Sequence, residues 1–380
     1  VENNGAVRMD NAHPFINYCT IKNNSASGIY AWSLSETLKI TYNTINNNTV
    51  SSTAAGASYG GIYCGGGINI ISNNTVSNNN VFTTSSSGIG YGGGIYCNGG
   101  TNTIFNNIIS SNIISSSSYG CGGGICCYSG INTISNNMIS NNSISSGKGG
   151  GIYCSGGTNT ISNNMITSNS VSTYSSYGGG IYSDESTNTI SNNMIISNTA
   201  YEGGGIYCYD NTTISKNCIV RNSASEISGI KYFYQSSITG SKDIKYNTIT
   251  DNKATNSTNT YTVYVKAQPL FNFNNLFGNV ATYELWNDIG RNTSNLNAKN
   301  NWWGTDDDSA VQGKIYDWID DNTMGLVDYY PYETVIRTDC PISPPTRMTA
   351  TAGSGQIALS WSANSESDLA GYKVYWDTDS

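Results

Sequence analysis

The chain has 380 residues, only 11% of them charged, and a formal net charge of −8. An ordinary soluble domain is roughly 25% charged, so Ser, Asn and Gly carry the polarity here, and the acidic balance excludes the basic stripe of a nucleic-acid binder. A lone histidine, His13, excludes multi-histidine metal sites and leaves any histidine-dependent triad one candidate.

No apolar run approaches the ~20 residues of a membrane-spanning helix. The chain opens at Val1 with neither Met nor a visible signal peptide, which predicts a mature or excerpted protein. Residues 1–24 read as an irregular first coil. From there one unit recurs, clearest as GGGIYCSGGTNTISNNMITSN over Gly149–Asn169. Aligned on the Ile after the glycines, its copies fall at Ile29, Ile62, Ile95, Ile125, Ile152, Ile181, Ile206 and Ile230. The second half, I-x-x-N-x-I-x-x-N, ends at Asn24, Asn48, Asn79, Asn112, Asn142, Asn169, Asn198, Asn222, Asn252 and Asn279. Repeats of this length mean a solenoid.

Within the unit G-I-Y-C, T-I-S-N and M-I-S-N alternate apolar and polar residues with a period of two, and no helical period competes. Three short strands per repeat predict an all-β chain, a parallel β-helix of about ten coils. At about 4.8 Å per coil the stack is roughly 48 Å long, and the crossover bias predicts a right-handed coil. The Ser-rich insertions SSTAAGASY, TTSSSGIGY, SSSSYG and STYSSY all precede the glycine turn and are expected as loops along one edge.

Alternation then sorts the columns. With Ile inward, Cys64, Cys97, Cys127, Cys154 and Cys208 point inward too, with Ser183 in the gap, as packed thiols rather than bridges. Cys121, Cys126, Cys218 and Cys340 lie off this column and remain available for pairing. Asn43, Asn74, Asn107, Asn137, Asn164, Asn193, Asn217, Asn247 and Asn274, with Cys19 below, are expected to turn the chain in the left-handed conformation and to bond coil to coil. Asn159, by contrast, reads as a surface residue. Tyr30, Tyr63, Tyr96, Tyr153, Tyr182 and Tyr207 face outward, interrupted at Cys126. Stacked exposed rings suit a sugar or a protein partner, or serve only to brace the sheet.

Beyond residue 280 the pattern changes. Asp308 or Ser309 is the expected cap of a helix whose Val311, Ile315, Trp318 and Ile319 share one face. With Trp302 and Trp303 this helix is expected to cover the solenoid end, the cap spanning about 296–335 within a β-helix of 1–335. Residues 336–345 read as a linker, and residues 346–380 alternate as three strands of an incomplete β-sandwich.

Family resemblances follow from these motifs. GGGI at 92–95, 149–152 and 203–206, alternating with I-x-x-N or Phe271-x-x-Asn274, resembles the repeats of polymorphic outer-membrane proteins and related adhesins. More broadly it resembles the pectin-lyase-like right-handed β-helix superfamily, and NNWWG (300–304) is similar to the closing stretch of many secreted β-helices. Trp361 and Tyr372 resemble the start of a fibronectin type III domain, which implies a longer protein. The resemblance implies a secreted or cell-surface location and an adhesin-like role toward a glycan or protein partner, as a monomer, with Tyr63, Tyr96, Tyr153, Tyr182 and Tyr207 as the contact face.

The superfamily also holds lyases and hydrolases. Their chemistry needs acidic calcium ligands with a basic residue, or clustered aspartates, yet from Ser25 to Ser183 the only acidic residue is Glu36. One zone qualifies: Glu185 with Asp210, and Glu202 with Glu226, sit at equivalent positions one coil apart, with Lys216, Arg221 and Lys231 nearby. Such carboxylates suit acid–base work or a shared calcium, although the NTD and GHG signatures of polygalacturonases are absent. Asp306, Asp307, Asp308, Asp320 and Asp321 are a second acidic group that suits calcium, more simply read as solvated charge at a helix end.

Overall fold

The computed structural model describes residues 5–10, 15–32, 37–209, 211–233, 243–291, 295–364, 369–372 and 374. Short strands joined by tight corners stack coil on coil into three parallel walls. The first wall has 12 strands, from Val7–Asp10 to Ile315–Tyr316. The second (Phe15–Asn17 to Leu270–Asn272) and the third (Thr20–Lys22 to Asn275–Phe277) have 10 each. Pairing is in register, Ile152 lying between Ile125 and Ile181. The chain is thus the all-β parallel solenoid that the period requires.

Each wall sends one branched residue of every coil inward. In the central coil these are Ile152, Ile161 and Ile166, all fully buried. Burying one such side chain contributes about 1.5–3 kcal/mol. The second inward place of the first wall holds Cys64, Cys97, Cys127, Cys154 and Cys208, with Ser183 in the gap, as the alternation requires. None of the five forms a disulfide and all are buried, and the same holds for Cys121, Cys126, Cys218 and Cys340. Neighbouring thiols that hydrogen-bond along the column, together with burial, push Cys97 and Cys154 well above the ordinary thiol range.

The corners are held by side-chain amides. The Oδ1 of Asn164 accepts from the backbone N–H and the Nδ2 of Asn137, at 2.9 and 3.0 Å, and its own Nδ2 donates to the Ile134 carbonyl at 2.8 Å. The same pattern runs from Cys19 to Asn301. Five residues on, a second ladder repeats it, Asn169 receiving both donors of Asn142. The left-handed conformation, however, belongs to the residue before each ladder Asn, such as Asn163 at φ 57° and Ser168 at φ 57°, and not to the ladder residue itself. A third ladder links Asn69, Asn102, Asn132, Asn159 and Asn188 at 2.7–2.9 Å. Asn159 is therefore buried rather than on the surface: it stands two residues before inward Ile161 and shares its face.

The Ser-rich insertions are also more ordered than loops. They form two further parallel sheets, one of 8 short strands (Thr49–Ser52 to Lys253–Ala254) and one of 4 (Gly56–Tyr59 to Gly147–Lys148). Val81, Ile114, Ile144 and Val171 close a small second core between them. From there the chain re-enters the first wall through the glycines. Gly92 has φ 53°, and a Cβ there would lie 2.7 Å from Tyr96 Cβ, so the turn presses Tyr91 toward the wall. A Cβ on Gly94 would lie 3.0 Å from Asn112 Nδ2, so this glycine leaves room for the second ladder.

The C-terminal end is covered, by a helix shorter than the expected face requires. Asp307, rather than Asp308 or Ser309, caps the helix Asp308–Gln312, accepting from the Ala310 N–H at 2.9 Å. Trp303, Val311 and Ile315 are fully buried, whereas Trp318 and Ile319 are exposed because the chain leaves the helix before reaching them. The second ladder ends on a carboxylate, Asn279 Nδ2 donating to Glu284 Oε2 at 3.0 Å. Residues 337–345 run back along the third wall, the Pro341 carbonyl accepting from Thr248 at 2.5 Å and the Pro345 carbonyl from Arg221 at 3.3 Å. Thr346–Gly353 and Gln356–Ser362 then pair antiparallel, and the Trp361 and Tyr372 rings lie 5.1 Å apart. The rest of the expected third strand falls partly outside the described residues.

Three predictions test this arrangement. Asn164→Leu strands the donors of Asn137 and the Ile134 carbonyl, at roughly 1–3 kcal/mol per unsatisfied group. Asn163→Gly, at an exposed left-handed position, is expected to be neutral; equal losses on urea denaturation would contradict the ladder. Burial pushes the Glu284 carboxyl above its ordinary value, so ionising it opposes folding. This penalty is absent below the ordinary glutamate pKa and grows as pH rises through the shifted one. The melting temperature of Glu284→Gln is thus expected to gain on that of the parent as pH rises, and a constant difference would contradict this. Of the 10 cysteines, only Cys19 is exposed. It alone is expected to alkylate in the native state, and all 10 after denaturation without reductant. Peptide mapping that finds a column cysteine in a disulfide would refute the packing.

Candidate functional site

Ionisable and aromatic groups gather on the outer face of the first wall. In-register pairing fixes one column from coil to coil: Tyr30, Tyr63, Tyr96, Cys126, Tyr153, Tyr182, Tyr207, Lys231, Tyr264 and Trp286. Its rings stack closely, Tyr30 on Tyr63 at 4.4 Å and Tyr153 on Tyr182 at 5.3 Å with only 2° between planes.

The column is nevertheless not an exposed platform, and this corrects the expectation for it. Tyr63, Tyr96, Tyr153, Tyr182 and Tyr207 retain only 2, 5, 6, 1 and 6% of their surface. A second rank of aromatics, Tyr59, Tyr91, Tyr119, Tyr177 and Tyr209, packs over them. Tyr59, for example, lies 4.4 Å from Tyr63 and 5.0 Å from Tyr96, ring to ring. Burial pushes the Tyr59 and Tyr91 hydroxyls up to about 12 and raises those of the inner rank as well. These phenols stay protonated at neutral pH and serve as packing and hydrogen-bonding groups. Sequence reasoning overlooked the second rank, although a Tyr directly before the glycine run (SYGG, GYGGG, SYGGG) marks Tyr59, Tyr91 and Tyr177.

In one coil Cys126 replaces the inner ring and Cys121 takes the place in register with Tyr91, leaving Tyr119, two residues earlier, as the covering ring of that coil. Burial and the adjoining Cys121 thiol hold Cys126 well above the ordinary thiol range. Cations also meet the stack, Arg8 lying 5.7 Å over the Tyr30 ring at its early end. Lys148 Nζ lies 4.5 Å over the Tyr182 ring, donates to the Tyr182 hydroxyl at 2.7 Å and sits 3.9 Å from Asp184. Lys231 Nζ lies 5.3 Å from the Tyr207 ring and 5.1 Å from the Tyr264 ring, and pairs with Glu202 at 2.6 Å.

The acidic zone is therefore divided. Glu202 is joined to Lys231 rather than offered jointly with Glu226, which is half-buried at the start of the next first-wall strand. Glu185 is exposed in the corner after Ile181–Asp184, with φ 47°. Arg221 and Lys216 occupy left-handed corners on either side of the third wall, and Arg221 holds the Pro345 carbonyl. Asp210, like His13 and Glu36, lies outside the described residues. In the cap, Asp307 and Asp321 accept hydrogen bonds from their own turns, which holds both carboxyls below the ordinary range. Among the described residues no three His, Cys, Asp or Glu side chains are grouped to hold a metal ion, and no helix is long and apolar enough to cross a membrane.

In comparison with protein families, one described as the right handed beta helix region fits residues 60–244, a stretch that holds most of both aromatic ranks. The parallel solenoid is thereby right-handed, as the crossover bias predicts. Neither a curated protein nor a solved structure matches the chain.

Proposed function

We propose that the chain is an extracellular β-helix, secreted or held at a cell surface, with an adhesin-like binding or structural role toward a glycan or a protein partner. One observation carries this reading. On the face where β-helix chemistry would be sought, the cations are already paired, Lys231 with Glu202 at 2.6 Å and Lys148 with the Tyr182 hydroxyl at 2.7 Å. Catalysis gathers ionisable groups around one open cleft, whereas these pairs sit in separate coils and are packed among aromatic rings.

The likeness of the GGGI and I-x-x-N repeats to surface adhesins supports the same reading, within a pectin-lyase-like ancestry. We assign residues 1–335 to the solenoid with its cap, 336–345 to a connecting strap, and 346–380 to the start of a fibronectin type III module, the whole acting as a monomer. An extracellular setting also suits a surface poor in charge and rich in Ser, Asn and Gly.

Incubated with polygalacturonate or alginate, with or without calcium, the chain is expected to release neither reducing ends nor unsaturated products. Turnover that Glu185→Gln or Asp210→Asn abolishes would overturn the proposal in favour of a polysaccharide lyase or hydrolase.

A further inference from the structure

A cleft of about 360 Å³ opens away from the tyrosine face, on the outer 8-stranded sheet. It arises from a step in the fold. The inward residues of that sheet run Val81, Ile114, Ile144 and Val171, and then shrink to Ala200, Ala224 and Ala254. The companion 4-stranded sheet ends at Gly147–Lys148. The outer layer therefore thins after the coil of Val171, and the loop after Val171 (172–176) is left standing as a wall above the shorter coils.

The wall is built, not loose. Ser176 is fully buried; its hydroxyl donates to the Val171 carbonyl at 3.2 Å and accepts from the Tyr201 N–H at 3.1 Å, tying the loop to both coils. At its tip Tyr174 is 87% exposed, and its ring meets that of Tyr201 at 5.8 Å and 68°, edge to face. The floor is a column of hydroxyls, Ser170, Thr199 and Ser223, in register from coil to coil; Lys253 takes the next place of that column, and Thr255, two residues on, borders the cleft.

We propose that this cleft binds an uncharged saccharide, which rests on the extracellular binding role above and gives it a site. The chemistry selects the ligand class. None of the residues that line the cleft is charged, Lys253 standing one coil beyond Ser223 and outside it, so an ionic ligand would shed water and gain no counter-charge within the cleft. A purely apolar ligand would cover the hydroxyls and leave them unpaired. A sugar meets both constraints: its hydroxyls donate and accept as Ser and Thr do, and its C–H faces pack on aromatic rings, whose faces are electron-rich. The volume falls at the lower end of small-ligand clefts, roughly 300–1,000 Å³. That suits one or two sugar rings of a longer chain lying along the stack. Because Ser176 holds the loop in place beforehand, little ordering remains to oppose binding.

Calorimetric titration with cellohexaose, mannohexaose and chitohexaose, against hexagalacturonate as the charged control, tests this. At least one neutral probe is expected to bind more tightly than the control. Tyr174→Ala, at an exposed loop tip, is expected to weaken that probe by about tenfold or more, and Thr199→Val is expected to weaken it as well, both with unchanged melting temperature. Tyr174→Phe is expected to retain most of the affinity. The proposal is overturned if no neutral probe binds, if hexagalacturonate binds best, or if binding ignores both Tyr174→Ala and Thr199→Val. That last result leaves the extracellular role standing elsewhere on the solenoid. Turnover of acidic glycans would sink that role without touching the cleft.

Discussion

Everything in this molecule depends on one amide bridging two coils. A tight corner in a β-helix turns its backbone N–H groups away from the sheets, and a buried N–H without a partner costs about 1–3 kcal/mol. At two corners of each coil an Asn side chain from the following coil accepts that N–H, as Asn164 does for Asn137 and Asn169 for Asn142. The bond also holds the residue before the ladder in the left-handed region, which a non-glycine residue otherwise resists by about 1–2 kcal/mol. This explains why Tyr42, Lys216, Arg221, Tyr246, Asp251 and Phe273 all adopt it without glycine's freedom. The corner is imposed from the neighbouring coil, so the corner residue itself is free to vary.

With the corners fixed, the aromatic face follows. Register brings rings of adjacent coils to 4.4–5.6 Å, and the glycine turns deliver a second rank from the outer sheets. The double rank is a second, polar-edged core on the outside of the first wall. It takes up the surface that a ladder of tyrosines would otherwise present to a ligand, and it holds Lys148 and Lys231 where their charges are matched. Where the outer sheets thin, Tyr174 is instead left at the surface.

Much of this is legible in the sequence. Period two and the recurring Ile and Asn suffice for the solenoid, the inward thiols and the first ladder. The third ladder is legible in hindsight, because Asn159 shares the parity of Ile161; what hides it is that a lone Asn reads as polar and exposed, while its bonds to Asn132 and Asn188 exist only after stacking. The burial of Tyr63 or Tyr182 is harder to foresee. Alternation tells which side of a strand a residue takes, not what folds over that side, and the covering Tyr59 and Tyr91 arrive from insertions of irregular length. For the acidic zone, equal position in the repeat placed Glu202 beside Glu226, but ion pairing across the two ranks joins Glu202 to Lys231 instead.

The amide ladders also have a direction. Each side chain completes the coil made before it, Asn164 accepting from Asn137 and donating to Ile134, while its own N–H waits for Asn193 in the coil to come. A chain emerging N-terminus first from a ribosome or a translocation pore therefore always exposes a growing end of unanswered donors, which the next coil answers with acceptors. The stack is polar in the way a filament is polar. In the ladders the waiting donors lie at the late end, where Asn301 and Glu284 accept the last of them.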